Sequence, residues 1–231
     1  MTSPADSTGQ CHGSASPEWF YPQWAADAPY NTAFTVRDTD SALGRYNRHT
    51  KAINLKDLAR IHGHLCDGLV IAYVTIRGVF DKLFADGVVD RTDLRVVSKN
   101  GPCWIDAAAL MTGARINFKT LRVDAAIGNG FIVQRISTGE SYRVHLKPGV
   151  FPAEQAALEA RIRGLRARGE PVTAEDIDTI EAMHDALSRT LLSTPPGQLL
   201  DIEALDDYPF VFNDLYGERG DIINKNMPRR D

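Results

Sequence analysis

From Leu69 to Phe84 apolar residues fall on nearly every side of a helical projection (Leu69, Val70, Tyr73, Val74, Ile76, Val79, Phe80, Leu83, Phe84). A helix that is apolar almost all round belongs in a protein interior, so the pattern predicts a deeply buried helix from about Asp67 to Phe84, stopped by Asp86-Gly87. A shorter helix, Leu55 to Ile61, precedes it, with Asn54 as N-cap and the His62-Gly63-His64 turn as its end. Leu94 to Ser98 is short and β-rich and reads as a strand. Asn100-Gly101-Pro102 then turns the chain into a helix from about Cys103 to Met111, with Gly113 at its C-cap. Three more strands are expected at Leu121 to Ala125, Phe131 to Ile136 and Tyr142 to Leu146. Ser137-Thr138-Gly139-Glu140 joins the last two as a hairpin, and Gly128-Asn129-Gly130 is a turn between strands.

After Pro148-Gly149 the pattern becomes charged and amphipathic. Ala153 to Ala167 is helical, with Leu158, Ile162 and Leu165 on one stripe, and Gly169-Glu170-Pro171 breaks it. Thr173 and Asp176 form a capping-box-like start for a second helix, whose apolar face carries Ile177, Ile180, His184, Leu187 and Leu191 up to Pro195-Pro196-Gly197. These elements predict an α+β fold, a mixed or antiparallel sheet flanked by helices, with a C-terminal helical hairpin extension. Three parts are expected: an N-terminal arm over 1–53, an α+β core over 54–150, and the helical hairpin with its tail over 151–231. The arm is rich in Ser, Gly, Thr and Pro to residue 17, and its aromatic run Trp19-Phe20-Tyr21-Pro22-Gln23-Trp24 reads as an irregular segment docked on the core. The tail from Tyr208 is expected to wrap the core or a partner subunit.

Composition narrows the function. With 231 residues and 43% hydrophobic content the chain can build a substantial core. A net charge of −4 argues against non-specific nucleic-acid binding, which needs a basic face. No uncharged apolar run reaches the roughly 18 residues a membrane span needs, and no signal-peptide pattern opens the chain, so a cytoplasmic protein without membrane contact is expected. Three widely spaced cysteines make no disulfide framework. Cys11, in weakly patterned surroundings, reads as a packing residue. No G-x-S-x-G motif is present, and the placement of Ser, His and Asp suggests no hydrolase.

The candidate chemistry lies at two helix starts. His62, His64 and Cys66 are spaced two apart across a turn, and Cys103 follows the Asn100-Gly101-Pro102 turn. Imidazole and thiolate ligands suit zinc, iron, nickel or copper. Unpaired N–H groups at a helix start also favour thiolate. These four residues are therefore candidate ligands of one metal, and Asp106, one helical turn beyond Cys103, is a candidate partner for a ligand histidine. The spacing is not that of a zinc finger. The bland alternative makes the histidines helix-end caps and the cysteines packing residues. A third makes Cys66 and Cys103 a nucleophile and resolving thiol. His145 reads as an exposed strand residue with a pocket acid or base as its functional alternative, His184 as a satisfied core histidine, and Lys99 and Lys147 as solvated lysines with anion binding as their functional alternative.

His62-Gly63-His64-Leu65-Cys66-Asp67-Gly68-Leu69 resembles the H-G-H-x-C-P-G signature of the FmdE-like family of formylmethanofuran dehydrogenase components, and Cys103, Asp106-Ala107 and Leu110-Met111-Thr112-Gly113 resemble its C-x-x-D-A-x-x-x-x-T-G segment. The likeness covers about residues 54–150. It implies an α+β core, a homodimer joined through extended arms, and a metal pocket lined by His62, His64, Cys66 and Cys103. The family's name reflects association with a molybdenum or tungsten enzyme of one-carbon metabolism. Asp67 stands where the signature has proline, Ala114 where a cysteine often follows T-G, and Asn117-Phe118-Lys119-Thr120 where a G-K-G-N-like segment is usual. The resulting expectation is a metal-dependent enzyme, an oxidoreductase or lyase, acting on a small-molecule or one-carbon substrate. Its cofactor is a transition metal, zinc first, with iron or haem as variants, and Cys103 and Asp106 are its catalytic candidates. The competing expectation is a non-catalytic accessory subunit or a metal or cofactor carrier.

Overall fold

In the computed structural model, residues 18–40 and 44–212 are described. Helix α3, Asp67–Leu83, runs through the middle of them. Leu69, Val70, Ala72, Ile76 and Val79 are wholly buried and Tyr73 and Phe80 almost so, as an apolar circumference requires. Around α3 the elements follow in the order α1 (Gln23–Ala26), β1 (Phe34–Arg37), β2 (Lys51–Ile53), α2 (Leu55–His62), α3, β3 (Val88–Asp90), β4 (Leu94–Ser98), α4 (Pro102–Thr112), β5 (Leu121–Val123), β6 (Gly130–Arg135), β7 (Ser141–Leu146), α5 (Ala153–Ala167), α6 (Ala174–Ser193), α7 (Pro196–Leu199) and β8 (Leu200–Leu205).

A five-stranded sheet has the order β5-β4-β6-β7-β8. Only β4 and β5 are parallel; the other neighbours are antiparallel. One face of this sheet packs on α3, through β6, β7 and β8, while α4 packs on β4. α5 and α6 form the helical hairpin, and α6 lies along α3. A second, three-stranded sheet, β2-β1-β3, pairs β1 with β2 antiparallel and with β3 parallel. The fold is α+β with mixed sheets, as the alternation of patterns indicated.

Several local expectations hold because their causes are local. Asn54 caps α2 in a full capping box with Asp57. Gly113 closes α4 in the left-handed conformation. The Thr173 side chain accepts the Asp176 N–H at the start of α6. β5 is shorter than expected, ending at Val123, because the Asp124 carboxylate accepts the Ala126 N–H and starts a 3-10 turn over Ala125–Ile127. β1, β2, β3 and β8 were not anticipated. β2 and β3 have three residues each, too few for a period-two signal, and Lys51 and Ala52 of β2 are exposed. β8 reads Leu-Asp-Ile-Glu-Ala-Leu, but its pairing partner β7 lies more than fifty positions earlier in the chain.

The segment before Asn54 contributes to the same interior. Tyr21, Ala25, Phe34 and Val36 join the hydrophobic cluster built on α3, with Phe20 and Trp24 packed at its edge. Leu65 N–H donates to the Phe20 carbonyl at 3.0 Å, which fastens the aromatic run beside the turn that leads into α3. Tyr208 and Phe210 pack against Val97, Ile127 and Ile132 on the other side of the sheet. Cys11, the 1–17 stretch and the end of the tail with Arg229-Arg230 lie outside the described residues. Among the described residues no helix is long and apolar enough to cross a membrane.

Candidate metal centre

Three helix ends meet at the candidate site. α2 finishes on His62, and Gly63 follows at φ 109°, a left-handed turn that glycine adopts without strain. The chain then reverses through His64 and Leu65, and Cys66 becomes the N-cap of α3. Cys103 is the second residue of α4, behind Pro102. A Cβ on Gly68 would lie 3.0 Å from the Cys103 sulfur, so the bare backbone of α3 lets the start of α4 come close.

The Cys66 and Cys103 sulfurs are 3.4 Å apart. His62 Nε2 lies 3.6 Å from Cys103 Sγ and 3.9 Å from Cys66 Sγ. On its other side, His62 Nδ1 is 2.8 Å from Asp106 Oδ2, and the imidazole side chain is only 4% exposed. His62, His64 and Cys66 each offer a ligand atom within 4.8 Å of the others, and the two imidazole rings lie 5.0 Å apart. His64 is exposed, on the outer side of the group.

These distances can be compared with a coordination sphere. Zinc–sulfur bonds of about 2.3 Å and zinc–nitrogen bonds of about 2.0–2.1 Å at tetrahedral angles put sulfurs roughly 3.8 Å apart and sulfur and nitrogen roughly 3.5 Å apart. The three edges between His62, Cys66 and Cys103 are close to these lengths. The donor chemistry of this inner trio, two thiols and an imidazole, fits the same ion, and His64 lies within reach of His62 and Cys66.

Without an ion, the three inner groups share protons. The hydrogen bond to Asp106 is the main reason that His62 is pushed up to about 9, with the Cys103 sulfur adding to it against the cost of burial. The Cys66 thiol donates to Cys103 and, together with the nearby imidazolium, holds Cys103 well below the usual thiol range despite burial. The same contact with Cys103, and then burial, pushes the Cys66 thiol well up. These directions favour a Cys103 thiolate facing a His62 imidazolium, with the proton kept on Cys66.

A second polar cluster adjoins the first. Asp67 is buried; its Oδ2 accepts from Gln155 Nε2 at 2.7 Å, and Gln155 Nε2 also lies 3.1 Å from Glu159 Oε1. His184 Nδ1 stands 3.6 Å from Asp67 Oδ1, and its Nε2 3.4 Å from Glu159 Oε1. Desolvation raises the Asp67 carboxyl above its ordinary value. Ligand atoms of Asp67, Glu159 and His184 also lie within 4.8 Å of one another. His184 was expected as a satisfied core histidine. Instead it is 29% exposed, and its Nε2 has no well-aligned hydrogen-bond partner among the described residues. Its apolar stripe is real at Ile180, Leu187 and Leu191, but the α5–α6 hairpin turns position 184 toward Asp67. The only sequence signal was Asp67 itself, an acidic residue where the resembling signature has proline.

Other singled-out residues lie outside the ligand group. Ala114 is buried in the main core. His145 is half-buried, its Nδ1 2.9 Å from the Leu146 carbonyl, and it lines a cavity rather than an exposed strand face. Lys99 donates to Asn129 Oδ1 at 2.6 Å and rides 4.2 Å from the centroid of the Trp104 ring. Lys147 donates to the Gly197 carbonyl at 2.7 Å. Neither lysine is simply solvated. Three cavities surround the site: one of about 920 Å³ beside His64 and Cys66, one of about 520 Å³ beside Cys103, and one of about 380 Å³ beside His145.

No curated protein matches this chain. A family model described as "FmdE, Molybdenum formylmethanofuran dehydrogenase operon" matches residues 61–201, more than half of the sequence, and extends past the two signature segments through the helical hairpin to the start of β8.

Proposed function

This chain belongs to the FmdE family, and on that premise we propose that it is a metal-dependent enzyme acting on a small molecule, with His62, Cys66 and Cys103 as the inner ligands and His64 as the outer one. The observation that carries this reading is the triangle of two sulfurs and His62 Nε2 at coordination-edge spacing, with Asp106 holding the far side of the same imidazole. A carboxylate on the remote nitrogen keeps its proton there and leaves Nε2 free to bind a metal. The thiolate-rich donor set favours zinc, with iron as the alternative and haem as a variant. A bound ion would supply Lewis acidity, or a redox centre if it is iron.

The chain's own residues complete the site. Asp106 orients His62 and holds the proton at Nδ1. Cys103 presents its sulfur to both the other ligands and the neighbouring cavity. His184 lines both the 920 Å³ and the 520 Å³ cavities and is the group best placed to move a proton between them. We further take the protein to work in the cytoplasm and as a homodimer; the exposed Trp19 and Ile61 near the site offer apolar surface to a second copy.

The second reading, a carrier or accessory subunit, is favoured by one feature. The cavity beside His64 and Cys66 is lined by Asp178, Glu181 and Asp185, an acidic approach suited to passing a cation. Elemental analysis and an absorption spectrum of the protein as purified test both readings. Stoichiometric metal that disappears in Cys66→Ala and His62→Ala is expected. Metal content untouched by both substitutions would remove the basis of either. Turnover or delivery assays then separate enzyme from carrier.

A further inference from the structure

The two sides of the candidate centre carry opposite charge. On the His64 side the cavity has three acidic residues and, among the described residues, no lysine or arginine in its lining. On the Cys103 side the lining includes Lys99, Arg163 and Arg166. Ile71, Asn129 and Phe151 line both this cavity and the smaller one beyond it, where Arg143, His145 and Lys147 stand. These shared walls set the two cavities side by side, a groove with Cys103 in the lining of one end. The acids on this side are already engaged. Glu159 is 3.3 Å from Arg163 and 3.4 Å from His184, and Asp67 accepts from Gln155. Arg163 and Glu159 offset one another, which leaves Lys99, Arg166, Arg143 and Lys147 as the cationic side chains lining the two cavities.

Two of these cations stand at the Cys103 end. Arg166 lines the cavity there, with its Nε closed off and unpartnered among the described residues. Lys99 lines it too, its ammonium donating to Asn129 Oδ1 and lying over the Trp104 ring. A carboxylate or phosphate in the cavity would gain charge-assisted hydrogen bonds from such groups. Trp104, Phe151 and Ile162 add apolar wall between the charged ends.

We propose that this groove receives a small organic anion, its carboxylate or phosphate group held by Arg166 and Lys99 and its body extending along the apolar wall toward Arg143. The inference rests on the metal reading only in taking the Cys103 end as the reactive one; the recognition of charge needs no metal. It also gives the centre a direction, with the anionic ligand entering from the Cys103 side.

The test uses the metal-free full chain and two alkylating reagents of similar shape, anionic iodoacetate and neutral iodoacetamide, with Cys103 modification followed by peptide mass spectrometry. Both need the thiolate, so the ratio of their rates cancels the thiol's own titration and reports the charge along the approach. The ratio at Cys103 is expected to exceed that of free N-acetylcysteine amide several-fold, to fall in Arg166→Gln, and to be retained in Arg166→Lys. Succinate should slow both reagents in the wild-type protein. A ratio at or below that of the free thiol, or one unchanged in Arg166→Gln, would overturn the proposal. Either result leaves metal content, measured separately on Cys66→Ala, free to stand or fall.

Discussion

The imidazole of His62 reaches across from the end of α2 to Asp106 on α4, 2.8 Å from Nδ1 to the carboxylate, and so turns its Nε2 toward two cysteine sulfurs. The contact joins residues 44 positions apart. Removing the carboxylate should leave the ligands in place but loosen the ring. Asp106→Ala is expected to weaken metal affinity about 10–100-fold, the usual cost of losing such a partner. Competition against a chromophoric chelator measures it, and unchanged affinity would mean that the His62–Asp106 contact does not serve the metal.

Metal binding should release protons in a number the geometry dictates. At pH 7 the metal-free site holds one proton on His62, raised to about 9 chiefly by Asp106, and one on Cys66, raised chiefly by Cys103; Cys103 is already ionised. Two protons should therefore leave these three groups per ion at pH 7, falling to one above about pH 9. Calorimetry in buffers of different ionisation enthalpy counts them. In the metal-free protein the linkage has the opposite sense. A histidine whose folded value lies above its unfolded 6.5 stabilises the fold fully below that value and loses the contribution as pH rises through about 9. Metal and proton thus compete for one nitrogen.

Gly68 should tolerate no side chain at this spot. A Cβ there would meet Cys103 Sγ at 3.0 Å, so in Gly68→Ala either the sulfur or the start of α4 must move. The expected result is a reduced metal content together with a stability loss of about 1–3 kcal/mol, typical of overpacking. Metal analysis and chemical denaturation of the same preparation read both. A fully loaded variant of normal stability would show that the two helix starts have room to spare.

Gln155 ties α5 to α3 through Asp67 and Glu159. Gln155→Leu keeps the volume but withdraws the donor from a buried carboxylate. A loss of about 1–3 kcal/mol is expected, since the acceptor would be buried and unmatched. Burial already raises the Asp67 carboxyl, and losing the Gln155 donor should raise it further. The variant's deficit should then shrink as pH falls and the carboxylate takes up a proton. Urea melts at neutral and acidic pH supply the comparison. A deficit that does not change with pH would detach it from Asp67.

Much of the fold was legible because its signals are short-range. The capping box at Asn54, the left-handed turn at Gly63, the apolar circumference of α3 and the hairpin at Ser137-Thr138-Gly139-Glu140 each lie within a few residues of the structure they specify. The candidate ligands were legible too, since His62, His64 and Cys66 share one turn and Cys103 starts a recognisable helix. What escaped has partners far away. β1 pairs with β2 and β3, β8 completes a sheet begun at β4, and His184 meets Asp67 from the far arm of a hairpin.

The sequence by itself determined which residues could bind a metal, where the longer helices run and where β4 to β7 and their turns fall, because ligand chemistry and backbone preference are properties of residues and their near neighbours. Only the tertiary structure decided that Cys66 and Cys103 stand 3.4 Å apart, that Asp106 backs His62 rather than the solvent, and that acids line one side of the centre and cations the other. Those relations depend on how closely three helix ends and the α5–α6 hairpin pack around α3. That closeness is set by contacts between distant parts of the chain, such as the space left at Gly68, and not by any local pattern.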